Sequence, residues 1–579
     1  MPNLFAGVSL ALQSLLSHQA AVEVIEHNVA NVNTPGYRRQ EAVLKAGPAY
    51  SNQGAAYAMA LGQLGTGVSV DSIRRFSTEF YDTRYRYEIQ NAKQYGIQSE
   101  ILSQLEGELA ETSSDSLVNK LDAFWGAWQR LSVDPSNSAL KADALDIADA
   151  LVKGINSRGL MIHNMQMEQD NGIIQRVDEI NQAAGQVAQL NAEISRVISL
   201  NEQPNDLMDQ RDALLDRLAE LTGATTSFQP SGEVVVSVNG HVLVQDHHNF
   251  NLVTASDPAT GFLNIYWEDG KQMIPRSGEM AGILDSRDNV MADQLANLDT
   301  LANSLIARVN TLHSSGFASG KVVTTSTIAS TVTGFGAGVL DTGQTELANG
   351  NTFIETMFSG TAWQFRVVDG AGVTISVQLS DGSGYSNGWQ DIPAGTGSPI
   401  NYDTGRGLTV TFGADPTQYA AASFGSGAAQ AVFTQQQDLF TGSGAIGIRV
   451  NATILNNANL LAVSTLPNAA GDGTLANQIA NVRTEKLLNG GLSSINEFYS
   501  LKTAEFGNSV KQAVSNAKDR GTVADVVNNQ RLSIAGVNLN EEAANLVKAQ
   551  KAFEAAARLM TVVDEMLDKV INGMGIVGR

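Results

Sequence analysis

The chain has 579 residues, 43% of them hydrophobic, which is enough for several domains with buried cores. Its formal net charge of −22 argues against nucleic acid or an anionic membrane surface as a partner, because phosphate binding needs clustered Lys and Arg. The absence of cysteine excludes disulfides, thiolate metal sites and cysteine nucleophiles. No stretch approaches about 18 uninterrupted apolar residues, so we expect no membrane span. Residues 1–37 lack Lys and Arg, and hence the basic region of a cleaved signal peptide.

The N-terminal segment predicts a long amphipathic helix. Its apolar seam alternates spacings of three and four residues and contains one polar member: Val8, Ala11, Leu15, His18, Val22, Ile25, Val29 and Val32. The helix ends at Thr34-Pro35-Gly36-Tyr37, where Pro35 and Gly36 suit the two central positions of a type II turn.

The next part of the chain predicts a connector and then a helical bundle. Residues 38–71 read as an extended connector with one hairpin. Helical periodicity then covers 77–110, 117–131, 139–161, 166–200 and a helix capped by Asp206 that ends at Gly223. An aromatic cluster of Phe124, Trp125 and Trp128 lies in the second of these helices.

Strand patterns interrupt the helices twice. Between 225 and 280 the period changes to two, with a hairpin signal at Asn239-Gly240. A helix over 283–312 follows, and 314–462 then shifts to Gly, Thr, Ser and alternating apolar residues. Helices resume from Leu475 and reach Arg520, with a capping box formed by Ser494 and Glu497.

The C-terminal segment predicts a second long seam, in a helix over 540–574 capped by Asn540. The seam residues are Leu546, Ala549, Phe553, Ala556, Met560, Val563, Leu567, Val570 and Met574. Two interpretations stay open from periodicity alone. The terminal helices pair with each other, or each packs on a separate core.

These patterns predict a multidomain, mainly α protein with inserted β structure. We expect paired terminal coiled-coil helices in an inner domain of 1–45 plus 530–579. A mainly helical domain would comprise 46–320 plus 465–529, with a β-hairpin part at 225–280. One or more outer β domains would occupy 321–464.

A search for catalytic chemistry finds nothing. Asp246-His247-His248 lacks a second cluster of metal ligands, and a polar loop explains it better. The acidic pairs Asp209/Asp212 and Glu541/Glu542 are attributed to capping and solvation on helices. Nucleotide-binding and hydrolase motifs are absent. We therefore expect no catalytic, cofactor-binding or metal-binding residue and no enzymatic activity.

Both ends of the chain resemble one family. The sequence from Glu26 to Tyr37, EHNVANVNTPGY, and the sequence from Gly536 to Glu542, GVNLNEE, resemble the terminal signatures of bacterial flagellar rod, hook and hook-associated proteins. The motif PNDLMDQRD at 204–212 is similar to the hook–filament junction members, as are 37–40, 301–316 and the ending at 575–579. The family often has an acidic residue where Phe317-Ala318 stand. The resemblance covers about 1–320 and 465–579, but not the β insertion.

The resemblance implies a structural protein of the flagellum that forms a ring of identical subunits at the hook–filament junction. It implies as partners the hook protein, the second junction protein and a cytoplasmic export chaperone that covers the C-terminal helix. The protein would leave the cell through the flagellar type III apparatus, and its terminal helices would line an axial channel. Residues 1 to about 45 and 530–579 would become ordered only on assembly.

Interaction residues are predicted on the two seams and at the turn. They are Leu15, Val22, Ile25, Val29, Leu546, Phe553, Met560, Val563 and Leu567 on the seams, and Thr34, Pro35, Gly36 and Tyr37 at the turn. Three alternatives remain: a hook or distal rod protein, a cell-wall hydrolase carried on a flagellar scaffold, and a secreted adhesin built on the β insertion.

Overall fold

A computed structural model describes residues 4–47, 65–109, 115–316, 438–465 and 471–573, together with short segments between 323 and 412. The described chain is mainly helical with inserted strands and long terminal helices, which confirms the predicted fold class. It divides into two compact units. The first comprises 1–102, 167–287 and 511–579, and the second comprises 103–166 and 288–510. The ending at 575–579, which carries part of the resemblance, and positions 317 and 318, where the chain departs from the family, lie outside the described residues.

Twelve α-helices are described, several of which run from one unit's residues into the other's. In chain order they are α1 (Leu4–Ala30), α2 (Glu79–Leu109), α3 (Leu117–Val133), α4 (Ser138–Ser199), α5 (Asn205–Thr222), α6 (Gly278–Asp285), α7 (Ala292–His313), α8 (Gly444–Gly447), α9 (Ala452–Asn456), α10 (Thr474–Asn481), α11 (Ile495–Ala535) and α12 (Leu539–Gly573). A π-helical turn, Ser286–Met291, separates α6 from α7.

The first unit contains the strands that precede the inserted region. Strands β1 (Gln40–Ala46) and β2 (Val68–Arg75) form the antiparallel hairpin expected in the connector. A four-stranded antiparallel sheet in sequence order and a separate two-stranded sheet follow. Their strands are β3 (Thr225–Phe228), β4 (Val234–Val238), β5 (His241–Gln245) and β6 (His248–Asn249), then β7 (Leu252–Ser256) and β8 (Leu263–Trp267).

The Asn239-Gly240 turn forms as predicted. Asn239 and Gly240 have φ of 52° and 86°, and they connect β4 to β5. Fully buried Asn191 of α4 fixes this sheet on the helix, because its amide donates to the carbonyls of Val234 and Asp246, both at 2.8 Å.

The second unit has an aromatic core built on α3. Phe124, Trp125 and Trp128 are at most 1% exposed, and the Trp125 indole donates to Asn496 Oδ1 at 2.9 Å. The predicted capping box closes the start of α11: Ser494 N donates to Glu497 Oε2 at 2.8 Å, and Glu497 N donates to Ser494 Oγ at 3.3 Å.

The inserted region is built of short antiparallel strands. They are β9 (Val323–Thr325), β10 (Val339–Asp341), β11 (Thr352–Phe358), β12 (Trp363–Asp369), β13 (Thr374–Ile375), β14 (Val377–Gln378), β15 (Tyr385–Ser386), β16 (Gln390–Asp391), β17 (Ile400–Asp403), β18 (Leu408–Phe412), β19 (Phe440–Thr441) and β20 (Arg449–Val450). One sheet has the order β17-β18-β10-β9, and another has β11-β12-β13 with β16 paired to β12.

Several predicted helix boundaries were wrong. Instead of two helices over 139–161 and 166–200, α4 is one helix of 62 residues, because no Pro or Gly breaks it between 162 and 165. Helix α11 continues beyond Arg520 to Ala535. Asn538, and not Asn540, caps α12, since its side chain accepts from Asn540 N at 3.0 Å. Asp206 lies in the first turn of α5, which begins one residue earlier.

Candidate interaction site at the corner of the terminal helices

The terminal helices α1 and α12 pack against each other in antiparallel orientation. Gly7 near the start of α1 lies beside Val563 of α12, and Asn28 near the end of α1 bonds Glu542 at the start of α12. These two contacts are the same number of residues apart on both helices, as expected for straight antiparallel neighbours. Of the two interpretations of the seams, the structure has the paired one.

The residues predicted for the seams are buried to different extents, and most are incompletely covered. Ile25 and Val563 are buried. Leu15, Val22, Leu546, Phe553, Met560 and Leu567 are half-buried. Val29 is 39% exposed and contributes least to the contact. Buried Ala549 and Ala556 keep one side of α12 narrow enough for close approach.

Large apolar side chains also lie on the outer faces of both helices. Between 39% and 57% of each is exposed: Leu12, Leu16, Val547, Leu559, Val562 and Met566. Residues 7–30 of α1 are long and apolar enough, by length and composition, to cross a membrane. Only 17% of the most apolar 18-residue stretch of this segment is buried. That measure is weak evidence for a span, because one face of this helix is a coiled-coil seam. Two helices alone do not cover the apolar surface that they carry.

The turn after α1 has the geometry of a type II turn. Tyr37 N donates to Thr34 O at 3.2 Å, and Gly36 has φ of +82° at the position that requires a positive value. Thr34 Oγ1 donates to Asn31 Oδ1 at 3.1 Å and so attaches the turn to the last turn of α1. Open clefts of about 1010 Å³ and 460 Å³ flank the turn, and residues 33–36 are exposed.

Asn28 joins α1, the connector and α12. It is fully buried, and its amide donates to Gln40 O at 2.8 Å and to Glu542 Oε2 at 2.9 Å. Its Oδ1 accepts from Gln40 N and from the Tyr37 hydroxyl, both at 2.9 Å. All four hydrogen-bonding positions of the amide are therefore used, and an apolar residue here would leave several buried groups unpaired.

Glu542 is the counterpart of Asn28 on α12. It is 1% exposed, and Arg39 Nε donates to its second oxygen at 2.7 Å. Arg39 also donates to Glu541 at 3.2 Å, and its backbone N donates to Ala535 O at 2.8 Å. Arg39, two residues after the turn, is thus attached to the start of α12 by side-chain bonds and to the end of α11 by a backbone bond.

An ionic cluster lies directly beyond this corner. We define the arginine–aspartate cluster as Arg38, Arg75, Arg86, Arg531, Asp82, Asp209, Asp212 and Asp216, all with side chains at most 15% exposed. Its members come from the connector, β2, α2, α5 and α11. The cluster therefore connects the chain leaving α1 to three helices of the same unit.

The arginines of the cluster each bridge aspartates. Arg38 binds Asp82 with two bonds of 2.6 and 2.7 Å, and it lies 3.2 Å from Asp212. Arg531 lies 2.9 Å from Asp82 and 2.8 Å from Asp216. A bidentate pair such as Arg38–Asp82 holds the two side chains in one relative orientation and also neutralises their charges.

The remaining pairs lie along α5. Arg75 Nε donates to Asp209 at 2.6 Å, and Arg75 also bonds Asp212. Arg86 donates to Asp216 at 2.7 Å and to Asp212 at 3.2 Å. Burial opposes ionisation of Asp212, but Arg75, Arg38 and Arg86 outweigh it and lower its pKa to about 2. Asp212 is therefore a carboxylate at neutral pH.

Sequence reasoning missed most of this cluster. The attribution of Asp209, Asp212 and Glu542 to a solvated surface was wrong, since they are 5%, 4% and 1% exposed. The sequence did contain a signal for the cluster, because the acids at 209, 212 and 216 are three and four residues apart and share one face of α5. Such a charged face either lies in solvent or pairs with buried cations.

The described residues contain no group of three or more His, Asp or Glu side chains that could hold a metal ion. The rings of His247 and His248 lie 4.1 Å apart, next to the short strand β6.

Comparisons with known proteins agree with this geometry. The helical-domain family of flagellar hook-associated protein FlgK matches residues 102–324, and the C-terminal family of the flagellar basal body rod proteins FlgEFG matches 528–573. The chain is 27% identical to flagellar hook-associated protein 1 of Bacillus subtilis, with all of both chains covered. It is 26% identical to that of Escherichia coli, with 98% of this chain and 99% of the relative covered.

A solved structure has a related fold. The flagellar hook junction protein FlgK from Burkholderia pseudomallei aligns with 78% of this chain and all of its own, with a TM-score of 0.52 and 14% identity.

Paired terminal helices, a helical body and inserted strands define an axial structural protein of the bacterial flagellum. Within that class, the chain is similar over its whole length to flagellar hook-associated protein 1. These matches make it a flagellar component that assembles with other flagellar proteins.

Proposed function

We propose that this chain forms a ring of identical subunits between hook and filament and thereby allows the filament to grow. The ring would contact the hook protein on one side and the second junction protein on the other. The subunit would reach this extracellular position through the flagellar export apparatus, with a cytoplasmic chaperone bound to α12 beforehand. Its role would be structural, without catalysis.

The observation that carries this proposal is the apolar surface left open on the α1–α12 pair. Leu16 and Val562, for example, are 55% and 49% exposed. Burying a large apolar side chain contributes about 1.5–3 kcal/mol before entropy is considered. A subunit with several such residues on two helices gains most by packing them against copies of itself, and a ring supplies those copies.

Specific roles follow for the predicted residues. Leu15, Val22, Ile25, Val29, Leu546, Phe553, Met560, Val563 and Leu567 would form the seam inside each subunit, and the outward residues would form contacts between subunits. Thr34 to Tyr37 would set the bend from the inner layer to the body. The three-domain division at 45, 320, 465 and 530, and ordering of the ends on assembly, remain predictions.

The alternatives have less support. The alternative of a hook or distal rod protein does not explain why residues 102–324 match the helical-domain family of FlgK. A hydrolase or an adhesin would need a site in the inserted strands, whose described residues supply no feature that favours one.

A strain lacking the gene tests the proposal. We expect loss of swimming, intact hooks and filament protein released into the medium, because the filament would have no base on which to polymerise. Missing hooks would assign the protein to the rod or hook instead. Normal swimming would contradict the proposal, and complementation with the intact gene controls for effects on neighbouring genes.

A further inference from the structure

The second unit contains a cavity of about 420 Å³ that is separate from the corner and from the terminal helices. It lies between α2, α4, α7 and α11, and all of its lining residues belong to this unit. Its volume is within the range of small-molecule sites, at the lower end.

The floor of the cavity is mainly apolar and buried. Ile162 is fully buried, Leu298 and Phe506 are 4% exposed, and Tyr499 is 7% exposed. These side chains come from three different helices, so the floor does not depend on a single mobile segment. Such a surface suits a compact aliphatic or aromatic group.

The rim carries polar groups that the protein itself does not use. Within the described chain, the side chains of Ser103, Glu106, Gln294, Asn297 and Thr503 line the cavity and have no hydrogen-bond or ion-pair partner. By contrast, polar neighbours on the same helices are bonded. Gln104 donates to Glu108 at 3.1 Å, and Lys502 donates to Glu505 at 2.9 Å.

The charge at the rim is negative. Glu106 is the one carboxylate among the described lining residues, and it is unpaired. Lys502 also lines the cavity, but its ammonium group is paired with Glu505 and lies 5.9 Å from the centre of the Phe498 ring. The cavity therefore offers a free anion and several neutral hydrogen-bonding groups above an apolar floor.

We propose that this cavity binds a small primary amine with a compact apolar body. The ammonium group would pair with Glu106 and donate to Asn297 or Gln294, and the apolar body would lie on Ile162, Leu298 and Phe506. This site is independent of ring formation, so its test does not depend on the proposed junction function.

Three matched probes test the ligand class on the full chain: 2-phenylethylamine, 2-phenylethanol and 3-phenylpropanoate. They share an aromatic body and differ in charge. With isoleucine methyl groups labelled for NMR, we expect the amine to shift the Ile162 signal saturably. The neutral and anionic probes should bind at least about tenfold more weakly, because a charged hydrogen bond is lost or becomes repulsive. Ile155, equally buried on the same helix but outside the cavity, is the reference signal.

Matched variants test the residue. Glu106→Gln should reduce amine affinity about fivefold to tenfold, as expected for a partly exposed ion pair with a hydrogen bond. Glu108→Gln, on the same helix but bonded to Gln104 outside the cavity, should leave it unchanged. Equal shifts with all three probes, no shift of Ile162 with the amine up to its solubility limit, or equal effects of the two variants would overturn the proposal.

Discussion

At the scale of single residues, the corner is held by polar side chains in positions that usually carry apolar ones. Asn28 is at the seam end of an apolar helix and yet is fully buried. Its four bonds connect the backbone of Gln40 with the side chains of Tyr37 and Glu542. Buried polar residues of this kind favour one packing arrangement of the elements that they join, because only that arrangement satisfies their hydrogen bonds. Removal of one partner leaves a buried polar group unpaired and lowers the stability of the fold.

We expect Asn28→Leu to prevent assembly, because it leaves Gln40 and Glu542 buried without their shared partner. The cost should be about 2–4 kcal/mol. Swimming of a complemented deletion strain and the amount of the chain in purified hooks measure the effect. Asn33→Ala, at an exposed position of the same turn region, is the control. If both variants restore swimming equally, Asn28 does not hold the corner.

The pKa of Asp212 makes a second expectation quantitative. Because its folded pKa is lowered to about 2, its contribution is fully present above the unfolded pKa of about 3.9 and is lost as the pH falls toward 2. The contribution is about 2 kcal/mol of unfolding free energy. Burial raises the pKa of Asp209, which is the opposite direction to the shift of Asp212. The stability that the whole cluster loses in acid is therefore not the Asp212 contribution multiplied by the number of its aspartates.

We therefore expect urea unfolding of Asp212→Asn to lose less stability between pH 4 and 2 than the parent chain, by about 2 kcal/mol. Asp143→Asn, which removes an exposed carboxylate paired with Arg130, should keep the parent slope. Parallel pH profiles for the parent chain and Asp212→Asn would contradict the assignment.

Sequence reasoning at this scale predicted the conformation of the turn but not the cluster. The turn requires Pro and Gly in a fixed order, which is a local property. Asp209 and Asp212, in contrast, look like ordinary helix acids until Arg38 and Arg75 are brought to them from distant parts of the chain. Nothing local distinguishes a paired buried acid from a solvated one.

At the scale of elements, α4 shows how tertiary packing differs along one helix. At Gly159 an added Cβ would lie 3.0 Å from Ile446 Cγ1 and 3.2 Å from Ala445 Cβ of α8. At Gly185 an added Cβ would meet no atom within 4 Å. Gly159 therefore allows close packing of α4 against α8, whereas Gly185 lies where a larger side chain would contact nothing.

We expect Gly185→Ala to raise the unfolding free energy by up to about 1 kcal/mol, because alanine is the better helix former. Gly159→Ala should cancel that gain and lower stability by about 1–2 kcal/mol through the crowded contact with α8. Chemical denaturation of the two variants measures both. Equal stabilisation by both would show that α8 can move away from α4 without cost.

Element positions were largely predictable, whereas helix lengths were not. The Asn239-Gly240 turn, the capping box at Ser494 and the glycine end of α5 at Gly223 all formed as predicted, since each depends on local chemistry. The continuity of α4 and of α11 was missed. A helix continues through weakly amphipathic residues when packing on both sides supports it, and periodicity does not report that support.

At the scale of the whole molecule, the open apolar faces of α1 and α12 are the feature that a single chain cannot account for. Leu16 on α1 and Val562 on α12 represent the two faces, and both are about half exposed. Heptad spacing in the sequence predicted one seam on each helix. It could not separate inward from outward apolar residues, because both helices carry more apolar positions than one seam needs.

Cysteine cross-linking tests the central claim most directly, since the natural chain contains no cysteine. Leu16→Cys and Val562→Cys would be introduced singly, checked for swimming, and treated with a short bismaleimide in isolated hook–filament structures. We expect cross-linked dimers of this chain, since one cysteine per chain limits a reagent with two reactive ends to pairs, and these dimers should be absent from the dilute purified protein. Cysteines that react with a small maleimide in the assembled structure but give only monomers there would contradict packing of these faces between subunits.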